Sequence, residues 1–341
     1  MAKNIRVLVV DDSVIFRTLL TKGLNEISGI EVIDAASDAF EAKEKIMRHK
    51  PDVITLDVEM PKLNGIDFLG QILPEYPIPT IVVTSTPTNA FEAISAGAVE
   101  FIKKPRSSET DMFIKELGKK VVIASNARVR RISAASLKTV APMSLATIAS
   151  GTSANKIIAI GASTGGTEAL ATVLENLPKS TPGIIVVQHM PAGFTKMYAD
   201  RLNRVCNMEA REAVDGDRIR PGLILVAAGE FHLRLNKDTR GFYITSKRGD
   251  KVSGHCPSVD VMFNSVAQVA KNNAIGVILT GMGADGAKGL LEMKKMGAYT
   301  IGQDKETCVV YGMPMVAFNV GAVKKQAPLQ AIPKLIMDEL K

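Results

Sequence analysis

The chain has 341 residues, 46% hydrophobic and 23% charged, a size and composition that suit two globular domains and exclude wholesale disorder. No apolar run approaches the ~18–20 residues that cross a bilayer. The N-terminus is too briefly apolar and too soon acidic for a signal peptide, and three scattered cysteines (Cys206, Cys256, Cys308) exclude a disulfide scaffold and suit a reducing cytoplasm. The net charge of +7 is uneven: residues 1–124 carry 15 basic and 18 acidic side chains, 125–155 carry four basic and none acidic, and 156–341 carry 23 basic and 17 acidic. An acidic front therefore meets a basic back through a basic connector, which serves attraction between domains as readily as an outside partner.

Five β-branched runs open the chain: IRVLVV (5–10), GIEVIDA (29–35), DVITLD (52–57), PTIVVT (79–84) and VEFI (99–102), with helix-like stretches such as Asp38 to His49 and Thr88 to Ala96 between them. Strands buried on both faces read as continuous apolar runs, so a parallel α/β sheet is expected, with its site beyond the carboxyl strand ends. Asp11 and Asp12 end the first run, Asp57 the third and Thr84 the fourth, and Lys104, followed by Pro105, lies just past the fifth. Taken singly, each acid reads as a helix-capping loop residue. Together, three converging carboxylates repel one another unless a hard cation neutralises them, and Mg²⁺ suits such a set. A carboxylate can also serve as a nucleophile and become an aspartyl phosphate, with a hydroxyl and an ammonium binding the phosphoryl oxygens.

Through VVDDS (9–13), TLDVEMPKLNG (55–65), VVTS (82–85) and FIKKP (101–105), residues 4–124 resemble the response-regulator receiver domain. The resemblance implies a flavodoxin-like fold with a five-stranded parallel sheet over residues 1–124. It implies Asp57 as the acceptor of a phosphoryl group from a histidine kinase, Asp11, Asp12 and Asp57 as the holders of Mg²⁺, and Thr84 and Lys104 as phosphoryl sensors. It also implies a cis Lys104–Pro105 bond.

Residues 125–155 are small and polar, lack aromatics and show weak periodicity, so a flexible basic linker is expected, helical at its start. Alternation of strand and helix signals then resumes. KIIAIGAS (156–163) leads into a helix near Thr167–Asn176, GIIVVQH (183–189) into one around Thr195–Val205, and GLILVAA (222–228) reads as a further strand. HLRLNKDTRGFYITS (232–246) alternates about a turn at Lys237–Gly241 and reads as a β-hairpin. Ser258–Lys271 is helical by pattern, AIGVILTG (274–281) is a buried strand, and helices are expected at Ala287–Met296 and Leu329–Leu340. Residues 156–341 thus form an α/β domain with a mostly parallel sheet and an antiparallel hairpin.

GASTGG (161–166) carries G-x-S-x-G at a strand-to-helix turn, which exposes Ser163 at the sheet edge beside helix-start amides able to hold an oxyanion. A Gly-rich structural turn and a dinucleotide fingerprint are the rival readings; the latter needs glycine where Ser163 stands. Two further strand ends favour chemistry. His189 in VVQHMP follows the next strand, and Asp285 in LTGMGADGA lies in the loop after the strand at 274–280. A serine needs an imidazole to take its proton, and the imidazole needs a carboxylate to fix its tautomer. The chain order Ser…His…Asp is not that of the α/β-hydrolases. His255 in HCPSVD competes with His189, Asp260 and Asp304 compete with Asp285, and Thr164 is a second hydroxyl; His49 reads as a surface residue and His232 as structural.

IGASTGGTEAL (160–170), VVQHMP (186–191), PSVDVMF (257–263) and LTGMGADGA (279–287) resemble the chemotaxis protein-glutamate methylesterases, the CheB family. The resemblance implies Ser163 as nucleophile, His189 as general base, Asp285 as its orienting partner, and backbone amides near Thr164 and Met282 as oxyanion donors. It implies no cofactor for the esterase. The expected protein is cytoplasmic and not membrane-inserted. It demethylates glutamate methyl esters on methyl-accepting chemotaxis receptors, deamidates receptor glutamines, and is regulated by phosphorylation through a chemotaxis histidine kinase and an intramolecular receiver–catalytic contact. The role of His255 stays open. A receiver joined to a binding module for a small molecule or nucleic acid is the other class of reading. The absence of a helix-turn-helix pattern and of aromatic-rich stretches speaks against nucleic acid.

Overall fold

The structure, a computed structural model, describes residues 3–105, 109–129 and 156–341. The chain divides into two compact units, Met1–Lys138 and Thr139–Lys341. The division between them lies outside the described residues, as does the expected linker from residue 130 to 155.

The first unit alternates β1 (Ile5–Val10), α1 (Val14–Asn25), β2 (Ile30–Ala36), α2 (Ala39–His49), β3 (Val53–Asp57), α3 (Gly65–Ile72), β4 (Thr80–Thr84), α4 (Pro87–Ser95), β5 (Glu100–Lys103) and α5 (Thr110–Ser125). The strands pair in parallel in the order β2-β1-β3-β4-β5. The order reverses between β1 and β3, so the crevice at that switch point lies beside the acids ending those two strands. Helix starts carry their own signals: Ser13, Asp38 and Asn64 each accept hydrogen bonds from the first-turn amides they cap. One expectation fails. Among the described residues the cis peptide bond is at Cys256–Pro257 and not at Lys104–Pro105. The Lys104 ammonium reaches the acids without it, its amide held by Thr84 O at 2.9 Å.

The second unit follows as β6 (Ile157–Ala162), α6 (Gly166–Leu174), β7 (Ile184–Gln188), α7 (Phe194–Val205), β8 (Glu209–Glu212), β9 (Leu223–Val226), β10 (Phe231–Asp238), β11 (Gly241–Arg248), α8 (Val259–Val269), β12 (Ala274–Ile278), α9 (Ala287–Lys295), β13 (Tyr299–Gln303), α10 (Met313–Asn319), β14 (Lys325–Ala327) and α11 (Ile332–Leu340). Seven strands form one all-parallel sheet, β14-β13-β12-β6-β7-β9-β8, and β10–β11 form a separate antiparallel pair. The hairpin closes the core over α8: Leu233, Leu235, Phe242 and Ile244 are buried in one cluster with Met262 and Val266. β8 and β14 leave no strand signal in the sequence because EARE and KQA are short and polar, as edge strands often are. β13 was hidden by Gly302, which lets Val323 pack close to the strand.

β6 is the pivot of this sheet. The chain runs from it to β7 on one side and returns later to β12 on the other, so the carboxyl ends of β12, β6 and β7 flank the switch point. The start of α8 is pressed against that edge at Gly161 of β6, where a Cβ would stand 2.2 Å from Val259 Cγ1. Gly161→Ala is expected to lower the melting temperature of the full chain through overpacking, at a cost of ~1–3 kcal/mol. An unchanged melt would show that Val259 yields without cost.

Candidate functional site

In the first unit, Asp11, Asp12 and Asp57 each place a carboxylate oxygen within 4.8 Å of the others; Asp11 and Asp57 are buried and Asp12 is exposed. Lys104 Nζ lies 2.7 Å from Asp57 Oδ2 and 3.0 Å from Asp11 Oδ2, with Phe16 beneath it, 5.0 Å to the ring centroid. Asp11 Oδ2 is buried and has no aligned hydrogen bond beyond that ion pair. Burial pushes the Asp57 carboxyl above the ordinary range, the Lys104 hydrogen bond and charge oppose this, and the Asp11 charge adds to it. Burial alone would lower the Lys104 ammonium, but Asp57 and Asp11 outweigh it and hold its pKa above the ordinary lysine value. Hard oxygen donors with an unsatisfied buried lone pair are the ligand chemistry of a hard cation. Thr84 stands at the end of β4, but its hydroxyl is engaged within its own loop, donating to Thr86 O at 3.3 Å and accepting from Thr86 N at 3.2 Å.

In the second unit, Ala162 pairs with Gln188 and His189 N donates to Ala162 O at 3.1 Å, so Ser163 and His189 leave adjacent strands side by side. The Ser163 backbone is held on three sides. Its N–H donates to Thr280 O at 3.0 Å, and its carbonyl accepts from Gly166 N at 2.7 Å and Gln188 Nε2 at 2.9 Å. Thr280 is itself fixed: its N–H donates to Gln303 Oε1 at 2.7 Å, and its hydroxyl donates to Thr164 O and accepts from Val310 N, both at 3.0 Å. On the opposing strand end, a Cβ at Gly281 would lie 2.6 Å from Ser163 Cβ, so only glycine lets the serine seat there. Thr164 is buried, whereas Met282 is exposed in the loop after β12.

His189 and Asp285 meet: Nε2 lies 2.8 Å from Oδ2, with side-chain exposures of 7% and 1%. Asp285 also accepts from Ser258 Oγ (2.8 Å), Val259 N (2.8 Å) and Asp260 N (2.9 Å), the cap and first amides of α8. Burial would raise its pKa, but the hydrogen bond and charge of His189, with the Asp260 amide and the Ser258 hydroxyl, outweigh it and hold the carboxyl below the ordinary range. An ionised carboxylate only accepts, so Nε2 is the donor to Asp285, and in the neutral ring the lone pair is then on Nδ1. Nδ1 is buried and without a hydrogen-bond partner. His255 stacks on the same ring, with centroids 3.7 Å apart.

The competing residues have other work. Asp260 accepts from Gly289 N (2.8 Å) and Ser253 Oγ (3.3 Å), and burial raises its pKa. Asp304 accepts from the backbone and hydroxyl of Thr307. His49 pairs with Asp34 at 3.1 Å on the first unit. His232 accepts from Ser258 N at Nδ1 (3.3 Å), and its Nε2 lies 2.8 Å from Asp250 O. The contacts of Ser258, Gln188 and Thr280 at this site have no counterpart in residue spacing. Ser258 alone had a signal, since a serine before the apolar pattern VDVMF reads as an N-cap.

Over residues 158–336 the chain matches the CheB methylesterase family, and over residues 7–113 the response regulator receiver domain. It is 48% identical to a protein-glutamate methylesterase/protein-glutamine glutaminase 2 from Syntrophomonas wolfei, covering 98% of each chain. It is 49% identical to a protein-glutamate methylesterase/protein-glutamine glutaminase from Sulfurimonas denitrificans, covering 96% of each. Among solved structures it is similar to the CheB methylesterase catalytic domain of Thermotoga maritima, with a TM-score of 0.53 and 41% identity over 54% of this chain and 97% of that one.

The partners of Asp285 contribute stability that is present above the ordinary aspartate range and lost as the pH falls through its lowered folded value. Asp285→Asn is therefore expected to destabilise the chain more near neutrality than at about pH 3, measured by urea unfolding. An equal loss at both pH values would show that charge is not what the donors hold.

Proposed function

The chain belongs to the CheB methylesterase family and carries a response regulator receiver domain ahead of it, and from this premise we propose that it is a phosphorylation-regulated protein-glutamate methylesterase and protein-glutamine glutaminase of chemotaxis. The observation that carries the reading is the His189–Asp285 pair, whose unpartnered Nδ1 belongs to the strand end next to Ser163. In this reading, Nδ1 takes the Ser163 hydroxyl proton as Oγ attacks the carbonyl carbon of a glutamate γ-methyl ester. The backbone amides of Thr164 and Met282 receive the oxyanion. The proton passes from the imidazolium to the leaving oxygen, methanol departs, and water hydrolyses the acyl-enzyme by the same route in reverse. With a glutamine side chain, ammonia leaves instead. Asp285 stays ionised throughout and stabilises the imidazolium.

The receiver is taken as residues 1–124, the connector as 125–155 and the catalytic domain as 156–341. Asp57 is the phosphoryl acceptor, with a chemotaxis histidine kinase as donor. Asp11, Asp12 and Asp57 are the residues that would hold Mg²⁺, which when bound neutralises their charge and that of a phosphoryl group. Lys104 and Thr84 sense the phosphoryl group, the former by giving up its pair with Asp57 and the latter by turning its hydroxyl out of its own loop. Methyl-accepting chemoreceptors are the substrates, and regulation runs through contact between receiver and catalytic domain. No helix of the described residues is long and apolar enough to cross a membrane, and the proposed place of action is the cytoplasm, with no nucleic-acid partner.

Ser163→Ala is expected to abolish methanol release from methylated receptor membranes while leaving the melt unchanged; retained turnover would move the nucleophile elsewhere. Asp57→Asn in the full chain is expected to remove the stimulation given by a small phosphodonor and leave basal turnover in place. Persisting stimulation would overturn Asp57 as acceptor.

A further inference from the structure

The feature of the catalytic edge left without a task by the proposed triad is His255. Its ring lies on that of His189, with centroids 3.7 Å apart and planes 6° from parallel. The local chain is built to hold it there. Val252 and His255 exchange both backbone hydrogen bonds at 3.0 Å. The two residues between them, Ser253 and Gly254, have φ of 53° and 83°. Positive φ at both central positions is the geometry of the tightest hairpin turns. On the other side, Cys256 O accepts from Glu230 N at 3.2 Å, and Ser258 is tied to His232 and Asp285. His255 therefore projects from a short segment anchored before and after it.

His189 has need of such a neighbour. Its ring is fixed in its own plane at one nitrogen only, by Nε2 on Asp285, while Nδ1 has no hydrogen-bond partner. A single in-plane hydrogen bond leaves the ring able to twist about the nitrogen–oxygen line, and twisting swings Nδ1 out of line with the serine. A flat surface against the ring face removes that freedom. We infer that His255 is a positioning residue: by stacking on His189 it fixes the imidazole plane in which Nδ1 meets the Ser163 hydroxyl, and it does so through its ring face and not through a ring nitrogen. The inference deepens the triad reading above and rests on it. When the Ser163 O–H bond breaks and its proton moves to Nδ1, the charge on His189 is met in the plane by Asp285 and across the face by the π system of His255.

The test is methanol release from methylated receptor membranes by the full chain, with kcat and KM determined separately. His255→Ala and His255→Leu are expected to lower kcat about tenfold with KM within about twofold, the size of one lost ring contact. His255→Phe, which keeps a flat ring and has no nitrogen, is expected to retain kcat within about threefold. The ring proton between the two nitrogens of His189 gives a second reading by NMR: shielded by the stacked ring in the wild type and His255→Phe, deshielded in His255→Ala and His255→Leu. Should the alanine variant fail to fold, the leucine variant fills the space and carries the comparison. The inference is overturned if His255→Phe is as impaired as His255→Leu, since a nitrogen would then be at work. It is equally overturned if His255→Leu turns over like the wild type. Turnover by Ser163→Ala would instead overturn the triad reading, so the two failures are told apart.

Discussion

The catalytic unit is organised around one buried negative charge. Asp285 is 1% exposed at its side chain, yet it is held ionised. A buried carboxylate without partners costs several kcal/mol, and removing a partner from a buried pair costs ~3–5 kcal/mol. Four donors meet this one: His189, the Ser258 hydroxyl and two α8 amides. The amides are available only because they sit in the first turn of a helix, where they have no partner within it. The helix must therefore start at the sheet edge, which is why its first residue, Val259, presses on Gly161. Much of the local architecture, from the hairpin packed on α8 to the His232 contact behind Ser258, braces the cradle of that charge.

The two units solve related problems with opposite electrostatics. Both place carboxylates at the switch point of a parallel sheet, where strand ends open outward. In the first unit the acids face one another with the Lys104 ammonium among them, and burial leaves Asp57 raised. A carboxylate set so poorly satisfied by the chain suits a hard cation. In the second unit the carboxylate is satisfied fully by fixed donors, which suits a group that must keep its charge and its place. The same residue type thus stands in an open cluster in one unit and in a closed cradle of donors in the other.

The main strands of both sheets were legible because parallel strands buried on two faces leave continuous apolar runs such as IRVLVV and KIIAIG. The edge strands β8 and β14 leave none. The acids were legible from their positions at strand ends, and so were Ser163, His189 and Asp285. Proximity between strand ends follows from strand order, which a sequence gives only through the alternation of elements. What lay beyond reach were contacts between side chains far apart in the chain: Ser258 on Asp285, Gln188 beneath Ser163, and above all His255 on His189. HCPSVD offered a second histidine as a competitor for the base. Nothing in residue spacing distinguishes a rival imidazole from one that lies flat against the first.

The serine bears on how such a site can be controlled. Its amide, carbonyl and Cβ are each confined by a different strand end or turn, and Thr280, which holds its amide, is itself fully bonded. A backbone with so few free groups cannot be moved without breaking several hydrogen bonds at once, each worth ~1 kcal/mol. The imidazole is the less constrained partner, with one in-plane bond and one covered face. Within the proposed function, regulation that reached into the chemistry would have to act on His189 or on the loop bearing His255. Regulation that left the chemistry alone would act on access to the edge where Ser163, half-buried, meets solvent. Access is the less costly of the two, because it disturbs none of the bonds that hold the buried charge.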